Sequence, residues 1–239
     1  MKIMKRYVLV FMILVPLFLR SQNIVISDEL KSNCDIMDVK GKQGWQFNQV
    51  IRYGGFCTSK SKRGWPAGYD FGFVNRFRMA KEKISFTQFT PDSLNGSVVA
   101  VSKFLNYETE FLNGFMGLSF KYEDTFAGCI IPGGDTVKCW NFMLTDADLL
   151  FDKNAGCGLL KDRNGTEIII RGVTRLEGQA KWLAGQVWGF EFFKDQHSIA
   201  AVSVAGNGKV YMKKDLAPEL RLVISSVCTS LLLRHDMSQ

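Results

Sequence analysis

The sequence predicts a mainly β protein: about a dozen short antiparallel strands forming a closed barrel or sandwich around one buried hydrophobic C-terminal helix. Three observations carry that expectation. Glycine and phenylalanine are abundant, 22 and 19 of 239 residues, while proline is scarce at 5, a composition of strands and tight turns. Short alternating segments are separated at close spacing by turn chemistry such as Asn164-Gly165 and Gly206-Asn207-Gly208. Only one long apolar segment follows the strands, Leu220–Leu233.

Taken in chain order, Met1–Arg6 carries three positive charges and Tyr7–Leu19 is a thirteen-residue apolar run. This is the n-region and h-region of a signal peptide. The run is shorter than the ~20 apolar residues of a membrane-spanning helix, and Pro16 interrupts it. Cleavage after Ser21 makes residues 1–21 the signal and residues 22–239 a single β-rich domain without a transmembrane span; a retained anchor is the competing reading. The first cysteine, Cys34, lies too far from the run for lipidation. The expected location is therefore the periplasm or the cell surface. Cleavage removes Lys2, Lys5, Arg6 and Arg20 with no acid, so the net charge falls from +7 to +3. That balance gives no reason to expect a nucleic-acid partner.

Strand patterns follow. Tyr69–Arg78 alternates with Phe71, Phe73 and Phe77 on one face and Arg76 and Arg78 on the other. Lys83–Phe89 is β-branched and aromatic and stops at Thr90-Pro91-Asp92. Val98–Leu105 then follows a turn expected at Asn95-Gly96. In Val137–Leu144 the residues Trp140, Phe142 and Leu144 share one face, and Cys139, Asn141 and Met143 the other. Glu167–Thr174, Gln186–Phe193, Ser198–Val204 and Lys209–Met212 complete the series. No helical crossover of about 12 residues separates these strands, as parallel pairing would require. The C-terminal segment, expected as a helix over 216–234, has Asp215 as a capping candidate with Pro218 and Glu219 in the first turn. Val223, Ile224, Val227, Cys228 and Leu231 recur at helical spacing, and Leu222, Leu232 and Leu233 extend the apolar surface nearly all round. A helix apolar on most sides is a buried one.

Late strands running directly into a hydrophobic helix, here Ser198–Val204, Gly208–Met212 and Asp215–Leu233, resemble the tubby C-terminal-like superfamily, which includes the LURP-one-related and scramblase proteins. The resemblance implies a strand barrel plugged by that helix; it brings no ligand-binding motif to this sequence. Gly41–Phe86 also resembles exported bacterial proteins of no assigned function.

The chemistry-bearing residues are sparse. The two histidines, His197 and His235, sit in a hairpin-like turn and near the chain end, and no Gly-x-Ser-x-Gly elbow occurs. Asp146, Asp148 and Asp152 miss the spacing of a calcium loop. Gly206–Lys209 lacks the spacing of a phosphate loop. No catalytic residue, metal site or cofactor is assigned. The six cysteines contain no C-x-x-C pair; a three-residue loop around Pro132–Asp135 would place Cys129 opposite Cys139 as a candidate disulfide. One surface feature stands out: Lys60, Lys62 and Arg63 beside Trp65 in a Gly/Ser-flanked loop, with Arg76 and Arg78 as extensions. Cations with an interfacial aromatic suit an anionic lipid surface. The sequence thus points to an exported non-enzymatic binding or structural module at the bacterial cell envelope, contacting anionic lipid or another envelope component such as a protein. The alternative is an envelope hydrolase with a carboxylate-based active site.

Overall fold

The computed structural model describes residues 23–42, 48–64, 77–78, 82–102, 105–106, 125–145, 158–179 and 186–235. Residues 1–22, where a signal peptide is expected, Trp65, Arg76 and the Asp146–Asp152 acids lie outside them.

A short helix α1 (Asp28–Ser32) precedes strand β1 (Cys34–Asp38). Next come β2 (Arg52–Tyr53), β3 (Phe56–Thr58), β4 (Lys62–Gly64), β5 (Phe77–Arg78), β6 (Glu82–Phe89), β7 (Asn95–Ser102) and β8 (Leu105–Asn106). The second half holds β9 (Thr125–Pro132), β10 (Trp140–Thr145), β11 (Gly158–Asp162), β12 (Glu167–Val173), β13 (Gly189–Lys194), β14 (His197–Ser203) and β15 (Lys209–Lys213), and ends in helix α2 (Pro218–His235). Thirteen strands form one antiparallel sheet in the order β1-β15-β14-β13-β12-β11-β10-β9-β7-β6-β3-β2, with β4 also on β6. β5 and β8 pair separately.

The two ends of that sheet meet. Just beyond β1, Lys40 pairs with Arg52 of β2: the Lys40 amide donates to the Arg52 carbonyl at 2.8 Å, and the Arg52 amide to the Lys40 carbonyl at 3.0 Å. Closure of this kind removes the exposed edges on which strands aggregate. The result is a nearly closed barrel, as the strand-rich composition predicts.

Side chains alternate between its interior and its outer face. Ile84 and Phe86 of β6, Phe142 and Leu144 of β10, and Ile168 and Ile170 of β12 all join one core. The faces expected for β10 are borne out, with Trp140, Phe142 and Leu144 inward. Into this core runs α2. Residues 222–233 are buried without interruption, and Val223, Ile224, Val227 and Leu231 are at most 1% exposed. The helix touches β6, β7 and β9 on one wall and β14 on the facing one. Burial of each large aliphatic side chain is worth roughly 1.5–3 kcal/mol, so the seven aliphatic residues among positions 222–233 make α2 a major contributor to the core. Its serines enter this apolar space because each hydroxyl bonds back to its own helix: Ser225 and Ser226 to the Leu222 carbonyl at 2.9 and 2.8 Å, Ser230 to that of Ser226 at 2.8 Å. At the far end the β14–β15 turn closes against the helix. Gly208 has φ +87°, and a Cβ there would meet Leu232 at 2.6 Å, so only glycine fits.

Three local expectations change. The β6–β7 turn is Pro91–Leu94, with Ser93 at φ 60°, and Asn95-Gly96 lies inside β7 opposite Phe89 and Gln88. Thr90 pre-empts the Asn-Gly turn, because its amide and hydroxyl both bond to the Leu94 backbone. The β9–β10 connection is longer than three residues: Gly133 and Gly134 take positive φ, and Asp135 caps a 3-10 turn over Thr136–Lys138. The register therefore sets Asn141, not Cys139, opposite Cys129. Cys129 and Cys139 are buried thiols in one small cluster with Ile131, and the direct cross-strand opposition expected of them is not made. Finally, α2 starts at Pro218, with the Ala217 carbonyl accepting the Arg221 amide at 2.9 Å; Asp215 falls in the preceding turn.

Candidate functional site

The basic segment Lys60–Gly64 is not a free loop. β3 and β4 both lie along β6, but the register slips by one residue between Thr58–Gln88 and Lys62–Ser85. This is a β-bulge, and it re-aims side chains. Ser59 is pinned to β6 by its amide on the Thr87 carbonyl (2.8 Å) and by its hydroxyl accepting the Thr87 amide (2.9 Å). Ser61 is buried, with its amide on the Gln49 carbonyl at 2.9 Å. Lys60, held between two anchored serines, is pushed out and exposed.

Beyond the bulge the residues alternate. Lys62 is exposed on the outer face. Arg63 shares a register position with the inward Ile84 and turns toward the barrel interior. Its Nη2 donates to Gln49 Oε1 at 2.9 Å and to the Leu233 carbonyl at 3.3 Å. A guanidinium on a last-turn carbonyl complements the negative end of the helix dipole, so Arg63 belongs to the helix and not to the outer surface. Trp65 and Arg76 lie outside the described residues, and Arg78 is placed only as backbone, in β5. Of the expected surface group, Lys60 and Lys62 are brought together as outward cations.

Other outward residues join them across the seam, and sequence order gives no hint of it. Lys40 stands opposite Arg52 in the closing bridge. Arg52 stands opposite Cys57, and Cys57 opposite Phe89. Adjacent strands are about 4.8 Å apart, so this row of four spans roughly 14 Å. Lys40 and Arg52 are exposed, and Phe89 is 40% exposed.

Phe89 and its neighbour Gln88 reverse the usual rule. Gln88 points inward and is fully buried, while the phenyl ring faces water. The inward polar residue has a clear cause. Gln88 Nε2 donates to the Cys57 and Phe89 carbonyls at 3.1 Å each, and its Oε1 accepts the Thr229 hydroxyl at 2.8 Å. Tyr53 completes the network: its hydroxyl donates to the Ser225 carbonyl at 2.8 Å and lies 3.0 Å from Thr229 Oγ1. Burial holds the Tyr53 phenol well above its ordinary pKa and pushes the Cys228 thiol up as well. The space around Tyr53 and Cys228 favours neutral groups.

A second polar site lies on the outer wall, where residues 23–33 are strapped over β13–β15. Buried Glu191 accepts the Ser27 amide at 3.1 Å, the Ser27 hydroxyl at 2.7 Å and the Ser198 hydroxyl at 2.5 Å through one oxygen. Glu177 takes Lys31 Nζ at 2.6 Å and Asn23 Nδ2 at 2.9 Å; the Lys31 hydrogen bond is the main reason its carboxyl lies below the usual range. These carboxylates are spent on fastening the strap. His197 Nδ1 is 3.1 Å from Glu29 Oε1 on the exposed surface. Among the described residues no three His, Cys, Asp or Glu side chains gather as metal ligands, and no helix is long and apolar enough to cross a membrane. Comparison with protein-family models, curated proteins and solved structures gives no match.

Proposed function

We propose that this chain is an exported, non-enzymatic binding or structural module of the bacterial cell envelope that contacts anionic lipid through outward cations of its barrel. The observation that carries the reading is the Lys60–Lys62 pair. A bulge turns both side chains into solvent, and among the described residues neither side chain takes part in an ion pair or hydrogen bond that would fasten the wall. The n-region and h-region at Met1–Leu19 support export; the mature protein is expected to begin at Gln22, which N-terminal sequencing of the periplasmic or surface fraction checks. The tubby-like resemblance enters this reading as an expectation of architecture alone; no ligand is carried over from it.

The test is liposome co-sedimentation. Each cation near an anionic surface contributes about 1 kcal/mol, screened by salt. Replacing Lys60 and Lys62 together by Gln is expected to remove most binding to anionic liposomes at low salt, with the melting temperature unchanged because exposed positions contribute little to stability. Neutral liposomes bind little in either case. Equal binding by the double variant, or none by the parent, rejects the reading and favours a protein partner in the envelope.

A further inference from the structure

We infer that the lipid-facing surface is an outer wall assembled by barrel closure, with Lys40, Arg52, Lys60 and Lys62 set around Phe89, and that it reads the charge density of an anionic phospholipid bilayer rather than one headgroup. The inference rests on the reading above and deepens it.

Its first support is the register. Lys40 and Arg52 come from opposite ends of the sheet and are neighbours only because their backbones form the closing bridge. The Cys57 pairings set Phe89 two strands from Arg52. Lys62 lies opposite Ser85, four residues along β6 from Phe89, or about 13 Å at the strand rise. Lys60 projects from the bulge between them. Four exposed cations and one ring thus share one face.

The second support is the partition of charges. Cations whose side chains turn inward are used on carbonyls: Arg63 on that of Leu233, Lys42 on those of Val204 and Gly206 at 2.7 and 3.1 Å. Among the described residues, the exposed Lys40, Arg52, Lys60 and Lys62 have no such partner. Two acids that flank it sit near other cations. Asp38, two residues before Lys40, faces Lys209 Nζ at 3.8 Å, and Asp92, three residues after Phe89, faces Arg221 at 3.6 Å.

Phe89 is the third. The Gln88 network explains why a polar side chain points in at the end of β6, but nothing inside the barrel explains a phenyl ring pointing out. An aromatic among cations on an open face is the pattern of an interfacial anchor. The outer wall is convex, and its cations are spread over more than 10 Å, so they do not converge on one phosphate. Recognition by charge density follows, with the ring entering the headgroup region.

The experiment uses the mature chain and phosphatidylcholine vesicles doped with phosphatidylglycerol, or with cardiolipin at matched charge, at low and physiological salt. Lys40→Gln with Arg52→Gln is expected to weaken binding about thirtyfold at low salt, as much as Lys60→Gln with Lys62→Gln. Arg52→Lys retains it. Phe89→Ser weakens binding at both salts, since its contribution is not screened, and the two lipids bind alike at equal charge. Thermal melts confirm that each variant folds. If the Lys40/Arg52 variant binds like the parent while the Lys60/Lys62 variant does not, the earlier reading stands and the closure wall is wrong. A strong preference for one lipid at matched charge overturns the charge-density mechanism. A parent that binds no vesicle sinks the functional reading itself.

Discussion

The two faces of the β2–β6 wall are built from neighbouring residues with opposite fates. Tyr53, Arg63 and Gln88 turn inward and serve α2; Arg52, Lys62 and Phe89, each one position away, turn outward into solvent. The interior face is over-determined: every polar group of the Tyr53–Thr229–Gln88 network has a partner, and the helix beside it is buried through residues 222–233. On the outer face Arg52 and Lys62 are exposed and, among the described residues, their side chains fasten no other element. At these positions stability is therefore concentrated on the inner side of a single layer. Substitutions one residue apart in sequence separate the two roles.

The sharpest break is Val227→Asp. Val227 is fully buried in the core, and an unpaired carboxylate there costs more than the marginal stability of a domain. No soluble folded protein is expected on expression. A smaller loss follows from Thr229→Val, which leaves Gln88 Oε1 buried without its donor. The expected destabilisation is about 1–3 kcal/mol in urea titration. Tyr53→Phe removes one hydroxyl from the same network and should cost about 1 kcal/mol.

Arg63→Gln against Lys62→Gln tests the comparison at neighbouring residues. The first loses a charge at the end of α2 and is expected to lower stability by about 0.5–1 kcal/mol. The second is expected to change stability by less than about 0.5 kcal/mol while weakening vesicle binding. Equal melting temperatures for the two would remove the distinction between the faces.

High and low pH act on different groups. Burial raises the Tyr53 phenol in the interior well above 10, and the Tyr211 phenol beneath the strap to about 12. The folded state resists ionisation that the unfolded chain undergoes, so this contribution is intact below pH 10 and is lost as pH rises from there toward 12. Phenolate absorbance should appear together with unfolding rather than before it. Glu177 has the opposite sign. Its carboxyl is held below 4.5 chiefly by Lys31, so its contribution is present above pH 4.5 and lost as pH falls through the lowered value. Amide exchange across 24–33 should rise in acid while α2 stays protected. This last effect is the smallest, because Glu177 is exposed.

Much of the interior was legible in the sequence. The spacing of Val223, Ile224, Val227 and Leu231 predicts a buried helix, and the alternation of Trp140, Phe142 and Leu144 predicts the inward face of β10, because hydrophobic periodicity records burial whatever the partner is. Turn dipeptides set the strand count but not every turn: Thr90 displaced the Asn95-Gly96 turn, and two left-handed glycines with a 3-10 turn moved Cys139 out of opposition to Cys129. The roles of Lys62 and Arg63 could not be separated, because both are basic and adjacent. Only the bulge after β3 decides which of them faces α2. The neighbourhood of Lys40, Arg52 and Phe89 had no signal at all. Sequence periodicity is local to one strand, whereas a row across the seam depends on which strands become neighbours and in what register when the barrel closes.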